Sequence, residues 1–384
     1  MENKEKYLID IAKEKTYQNQ YDDYHKEFSE WRTRKDNPYG YSFVHDVREH
    51  TYVDGEGYFQ KKADVAEKNA LIKCLGLLGG TMLAMLFIDA VISFVFYKLY
   101  NDSSVFAVHY SQVEDSRSWL SPVYAALFGA ATTLKYIAGL WIFLHFSKLP
   151  RKVAIPLPKD AKVSKSGIYL ILVIMVMGKM GNYLLNVIFG WMNMDCVFML
   201  GFHNPDSVLA DAIYVFFNCV LVGVFSEFLF RGAIMQMFRQ FGDTYALMIS
   251  VIAFSFTYYD VSSICYASLL AAVLGLFTLK TGSIKTAVLM RIVESISSYA
   301  VSCVILDNYS NGRIVIVCIY AFIVTVAAFV FARLMCNGKL NFRMRNDSSE
   351  IDNGAKLRLF VTNTSITLWL VAVLGMLVLM VRFL

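Results

Sequence analysis

Nine apolar runs take up most of the chain beyond residue 70. They lie at about 71–99, 119–146, 167–190, 207–236, 245–259, 263–279, 284–304, 313–335 and 360–381. Seven of them approach or exceed the roughly 20 residues that a helix needs to cross a hydrocarbon core. A backbone in that medium must satisfy its own hydrogen bonds, which restricts it to helices or closed barrels. Continuous apolar runs of this length read as helices. The composition agrees, with 57% hydrophobic and only 17% charged residues, where a soluble domain carries about 25% charged. The expected fold is all-α, a polytopic transmembrane helical bundle of about 8–9 spans. The two shorter runs, 245–259 and 263–279, read as a broken or re-entrant pair.

The segments between the runs alternate in basic content. Residues 147–166 carry Lys148, Arg151, Lys152, Lys159, Lys162 and Lys165, and 336–359 carry five Lys/Arg. Residues 191–206 and 305–312 carry none, and 100–118 carry only Arg117 against three acids. Basic loops stay on the cytosolic side, so the N-terminus is expected in the cytosol and the C-terminus outside. Residues 1–69 are polar and mixed in charge, with 12 Lys/Arg against 15 Asp/Glu. They are expected to form a solvated cytosolic tail with one or two short helices. Residues 70–206 then hold the first three spans, 207–304 a polar-containing core, and 305–384 the last spans. The first run begins too late for a signal peptide. Basic residues confined to loops are no nucleic-acid footprint. Seven scattered cysteines with no CxxC spacing indicate neither a disulfide framework nor a zinc knuckle. No internal repeat appears, which disfavours a repeat-built transporter.

Ionisable residues inside the runs are the exception that needs explaining. Each costs about 2.5–3.5 kcal/mol or more at membrane depth and tends to be paired and functional. Glu227 and Arg231 are four apart and share a helix face, as do Arg291 and Glu294 at a spacing of three. At about 1.5 Å per residue, Glu227, Tyr258 and Arg291–Glu294 fall at similar depths, about 11–20 Å in from the cytosolic ends of their helices. Two readings stand side by side. The pairs are ion-pair clamps between helices, or they line a cavity for a polar ligand or a peptide. The Ser226 hydroxyl is expected to bond back to the Val222 carbonyl rather than act as a nucleophile. Asp89, Lys135 and Lys179 are expected to neutralise one another.

The order of these motifs resembles the membrane core of the CPBP family, the CAAX proteases and bacteriocin-processing enzymes also called Abi. Its pattern is Glu-Glu-x-x-x-Arg followed by Gly, then Phe-x-x-x-His, then a Thr-Gly-Ser turn opening a helix with His and Asn. Here Ser226-Glu227-Phe228-Leu229-Phe230-Arg231-Gly232 is similar to the first motif with one replacement. Phe254-Ser255-Phe256-Thr257-Tyr258 resembles the second with tyrosine for histidine, and Thr281-Gly282-Ser283 reproduces the turn. Arg291 stands at the third motif's histidine, and Glu294 or Ser295 at its asparagine. The resemblance implies an intramembrane protease bundle of about eight helices.

The departures remove the chemistry that the resemblance would imply. The family's first Glu and histidines activate water or hold a metal, but no histidine follows His203. Tyrosine titrates near 10, and a guanidinium offers no lone pair to a proton or a metal. Zinc usually takes three or more His, Cys or carboxylate ligands. The expectation is therefore a pseudoprotease with no metal and no cofactor, and with no catalytic role assigned at Ser226, Glu227, Arg231, Tyr258, Arg291, Glu294 or Ser295. It would sit in a bacterial cytoplasmic membrane, embedded in the lipid bilayer, and bind a membrane protein or peptide but no nucleic acid. The alternatives are an active CAAX-type intramembrane endopeptidase with Glu227 as base, helped by Tyr258 and Glu294, and a small-solute transporter.

Overall fold

The computed structural model of the chain describes residues 20–34, 36–40, 62–100, 122–158, 163–176, 178, 207–259, 261–306, 322–323, 325–334, 336–337 and 351–380, with short paired strands at 8–10, 44–46, 52–53, 57–58, 194–195 and 382–383. The helices are α1 Asp22–Thr33, α2 Lys62–Tyr100, α3 Pro122–Ser147, α4 Lys165–Val176, α5 Val208–Phe241, α6 Asp243–Ser255, α7 Val261–Thr281, α8 Ile284–Leu306, α9 Thr325–Leu334, α10 Asn353–Thr362 and α11 Thr364–Met380. The strand pairings are two or three residues long and add no layer. The class is helical, as expected from the unbroken apolar runs.

Among the described residues four helices are long and apolar enough to cross a membrane: Val65–Phe96 within α2, α3, α5 and Ser263–Thr281 within α7. A fifth is counted if α10 and α11, bent by 68° at Asn363, form one broken span. The expectation of 8–9 spans is therefore not matched among the described residues. α4, α6 and α9 are apolar but short, and the remainder of the runs 167–190 and 313–335 lies mostly outside the described residues. α8 carries Lys285, Arg291 and Glu294 along its apolar length. The weak pair of runs divides. The run at 263–279 is a full-length helix, and 245–259 ends early because Phe256 leaves helical geometry at φ −78, ψ 8. Large apolar side chains face outward on these helices, among them Phe87, Trp141 and Val378 at 68%, 64% and 72% exposure. A lipid surround is the medium that suits such faces.

The helices pack through close approaches. At Gly79 of α2 a Cβ would stand 2.6 Å from the Ser365 backbone of α11, so only glycine permits that crossing. α3 lies between α2 and α5, and α6 pairs with α7, which leads to α8. The Thr281-Gly282-Ser283 turn joins the last two. Gly282 takes φ 62, a conformation glycine adopts without penalty at a helix end. Ser283 Oγ accepts from the Lys285 amide, and the Ile284 amide donates to the Pro156 carbonyl at 3.1 Å.

The N-terminal region departs from the expected solvated tail. Over Asp22–Thr33 it is a helix docked into the main core, with Tyr24, Phe28 and Trp31 fully buried. Trp31 Nε1 donates to the Ser147 carbonyl at 2.9 Å, and Tyr24 Oη donates to Gln236 Oε1 at 2.8 Å. Exposed Lys152 pairs with Asp23 and Glu27. Aromatics at 24, 28 and 31 recur at helical spacing, so α1 has an apolar face, and the polar average of the whole tail hides it.

Candidate functional site

The site is built from α5, the end of α6, α7 and α8. Glu227 and Arg231 sit one turn apart on α5, both at zero exposure, with Arg231 Nη1 at 3.1 Å from Glu227 Oε1. Arg231 lies in a stretch, Phe228–Ile234, wound with i→i+5 hydrogen bonds. Such widened turns occur frequently at functional sites. The ion pair lacks hydrogen-bond geometry. Neither Glu227 carboxylate oxygen nor any Arg231 guanidinium nitrogen has a hydrogen-bond partner among the described residues. Arg231 instead lies over the Phe254 ring, 4.3 Å from its centroid. Arg291 approaches the same ring at 5.5 Å. Two guanidiniums thus share one aromatic, an attraction that strengthens when water is excluded.

Arg291 anchors the second half. Its Nη1 donates to Glu294 Oε2 at 2.5 Å, and its Nη2 donates to Tyr258 Oη at 3.0 Å. Tyr266 of α7 donates to the other Glu294 oxygen at 2.6 Å, and Ser295 Oγ reaches Oε2 at 3.4 Å. The helices thus bring Tyr258, Arg291, Glu294 and Ser295 into one hydrogen-bonded network beside the Glu227–Arg231 pair, as the depth reckoning anticipated. Ser226 is buried beside it, but its hydroxyl donates to the Gly223 carbonyl at 3.2 Å rather than to Val222. That corrects the expected partner by one residue and leaves Ser226 turned to its own helix.

A second buried pair lies on the other side. Lys135 and Asp89 meet at 3.1 Å, as expected, and Tyr259 donates to Asp89 at 2.7 Å. Lys179, the third member expected there, lies outside the described residues, as does Asp260. The adjacent Tyr258 and Tyr259 hold the α6–α7 turn to one cluster each.

The sequence reading missed Tyr266, Tyr259 and the double use of Phe254. Nothing in the local pattern marks Tyr266, because its partner Glu294 is 28 residues away on the next helix.

The residues present do not fit a catalytic metal. The nearby carboxylates are Glu227 and Glu294, and the second has both oxygens taken by Arg291 and Tyr266. Tyr258 and Arg291 stand where the motif resemblance would put histidines, and an arginine cannot ligate a metal. Among the described residues no three His, Cys, Asp or Glu side chains come together.

Residues 208–296 match the family model described as Type II CAAX prenyl endopeptidase Rce1-like. The match runs from α5 through Glu294 and spans the whole network just described. No curated protein and no solved structure matches the chain.

Proposed function

We infer that this CAAX protease-like membrane protein is a pseudoprotease of the CPBP type, a binder of a membrane protein or peptide that cleaves nothing. One observation carries this reading. The position of a family histidine is held by Arg291, whose guanidinium is committed to Glu294 and Tyr258. A general base must take a proton near working pH, and an arginine cannot. Tyr258 accepts Arg291's hydrogen bond, a poor arrangement for drawing a proton from water. What remains is a neutral, buried, charge-paired surface on four elements, suited to hold a polar segment of a partner at membrane depth. Cell-envelope enzymes and bacteriocin-like peptides are the partner class that the family resemblance supports. The alternating basic loops support an N-terminus in the cytosol, in a bacterial cytoplasmic membrane.

A second reading rests on a specific feature. Among the described residues neither Glu227 carboxylate oxygen has a hydrogen-bond partner, so this carboxylate retains acceptor capacity for a water or a substrate amide. The test separates the two. Purified protein in nanodiscs is incubated with membrane-embedded and prenylated peptides, and products are read by mass spectrometry. No cleavage is expected, whereas the triple variant Ser226→Glu, Tyr258→His, Arg291→His serves as the gain-of-function comparison. Cleavage by the wild type that vanishes in Glu227→Gln would establish the endopeptidase instead.

A further inference from the structure

A groove runs between α2 and α3 at the end of the bundle that carries α1. Its volume is about 650 Å³, within the range of ligand sites. Gly76, Gly80 and Ala84 form its floor, Ile142 and Phe146 its wall, and Tyr39 closes one end. The groove exists because the floor lacks side chains. A Cβ added at Gly76 or at Gly80 would meet nothing within 4 Å. Through Pro38 and Lys73 it continues into a smaller cavity of about 330 Å³, which is polar. Asp36, Asn37 and Asn69 line that part.

The order of these groups along α2 is a chemical signature. Lys73 stands at the junction, exposed, with no ion-pair partner among the described residues. On one side lies an apolar trough about 12 Å long from Gly76 to Ala84, at about 1.5 Å per residue. On the other side lies Asp36, whose 3.7 Å contact with Arg34 is exposed on both sides and therefore weak. A cation and an anion thus flank one polar cavity, with an apolar channel leading away from it. We propose that this groove is a binding site for one aminophospholipid, its phosphate on Lys73, its ammonium on Asp36, and one acyl chain laid over Gly76 and Gly80. The segment Pro38–Tyr39 forms the rim, held by Gln240 Nε2 and Cys74 Sγ donating to the Tyr39 carbonyl at 3.0 and 3.4 Å. Lipid bound here would brace the docked α1 region against α2.

The full chain is purified in mild detergent, and retained lipid is identified by native mass spectrometry. The chain is then titrated with phosphatidylethanolamine or phosphatidylglycerol. The wild type is expected to hold one phosphatidylethanolamine per chain and to bind phosphatidylglycerol more weakly. Gly80→Leu fills empty space rather than striking a neighbour, so the fold should melt normally while affinity falls about tenfold or more. Lys73→Glu should weaken binding of both lipids, and Asp36→Asn should abolish the preference between them. Equal lipid retention by the wild type and Gly80→Leu overturns the proposal, as does a wild type that binds both lipids alike. A wild-type dimer that disappears in Gly80→Leu also overturns it and gives the groove to a second copy. Should Gly80→Leu fail to fold, exposed Lys73→Glu carries the test, and unchanged binding there is decisive against the site.

Discussion

Arg291 donates a hydrogen bond to the hydroxyl of Tyr258 at 3.0 Å. In the resemblance to the CPBP motif each stands at a histidine, and here the two residues bond to each other. The bond ties the end of α6 to α8. Arg291→Ala should cost about 3–5 kcal/mol, because Glu294 loses its cation in a buried setting. Tyr258→Phe should cost less, about 1–3 kcal/mol, since one Arg291 nitrogen loses its acceptor. Melting in detergent measures both, and an Arg291→Ala variant as stable as the wild type would refute the clamp.

Glu227 and Arg231 behave differently because, among the described residues, their charged side-chain atoms have no hydrogen-bond partner. Removing one partner leaves a bare charge, so Glu227→Ala and Arg231→Ala should each lose about 3–5 kcal/mol. Replacing both at once by apolar residues of similar volume, as in Glu227→Leu with Arg231→Met, should be close to neutral or stabilising. A double variant as unstable as the sum of the singles would show that the pair is held by hydrogen bonds after all.

Gly232 follows Arg231 where α5 passes the Arg151–Ala154 turn. An added Cβ would lie 2.4 Å from the Ala154 carbonyl oxygen, which is backbone and cannot step aside. Gly232→Ala should destabilise by about 1–3 kcal/mol. Gly375→Ala in α11, where a Cβ meets nothing within 4 Å, should instead stabilise by about 0.5–1 kcal/mol. The two melting shifts should have opposite signs, and like signs would contradict the packing.

Docking of α1 should depend on pH through His25. Partial burial holds its imidazole below the usual value of 6.5, with the Arg239 charge adding to the effect. A base with a lowered folded pKa stabilises the fold above its unfolded value, and that stability is lost as pH falls below it. Protection factors of the Asp22–Thr33 amides, that is, exchange rates corrected for the intrinsic base-catalysed rise with pH, should therefore be higher at about pH 8 than at about pH 5.5. His25→Gln should flatten the difference. If the protection factors there are independent of pH in the wild type, His25 is not coupled to docking.

The apolar runs, the helical class and the family motifs were legible in the sequence, because hydropathy and short spacings are local properties. The paired spacing of Glu227 with Arg231 and of Arg291 with Glu294 was legible for the same reason, as both pairs lie within one helical turn. Tertiary structure decided the rest. It joined the two pairs through the ring of Phe254, brought Tyr266 to Glu294 and Tyr259 to Asp89, and turned the Ser226 hydroxyl to Gly223. It also docked Tyr24, Phe28 and Trp31 in the core, where composition alone read a solvated tail. Span length was decided there too, since Phe256 ends α6 before its apolar run is finished. The contacts between helices share one physical reason. A hydrogen bond or a buried contact between helices depends on their relative depth and rotation, which arise from packing the whole bundle and leave no trace in any local pattern.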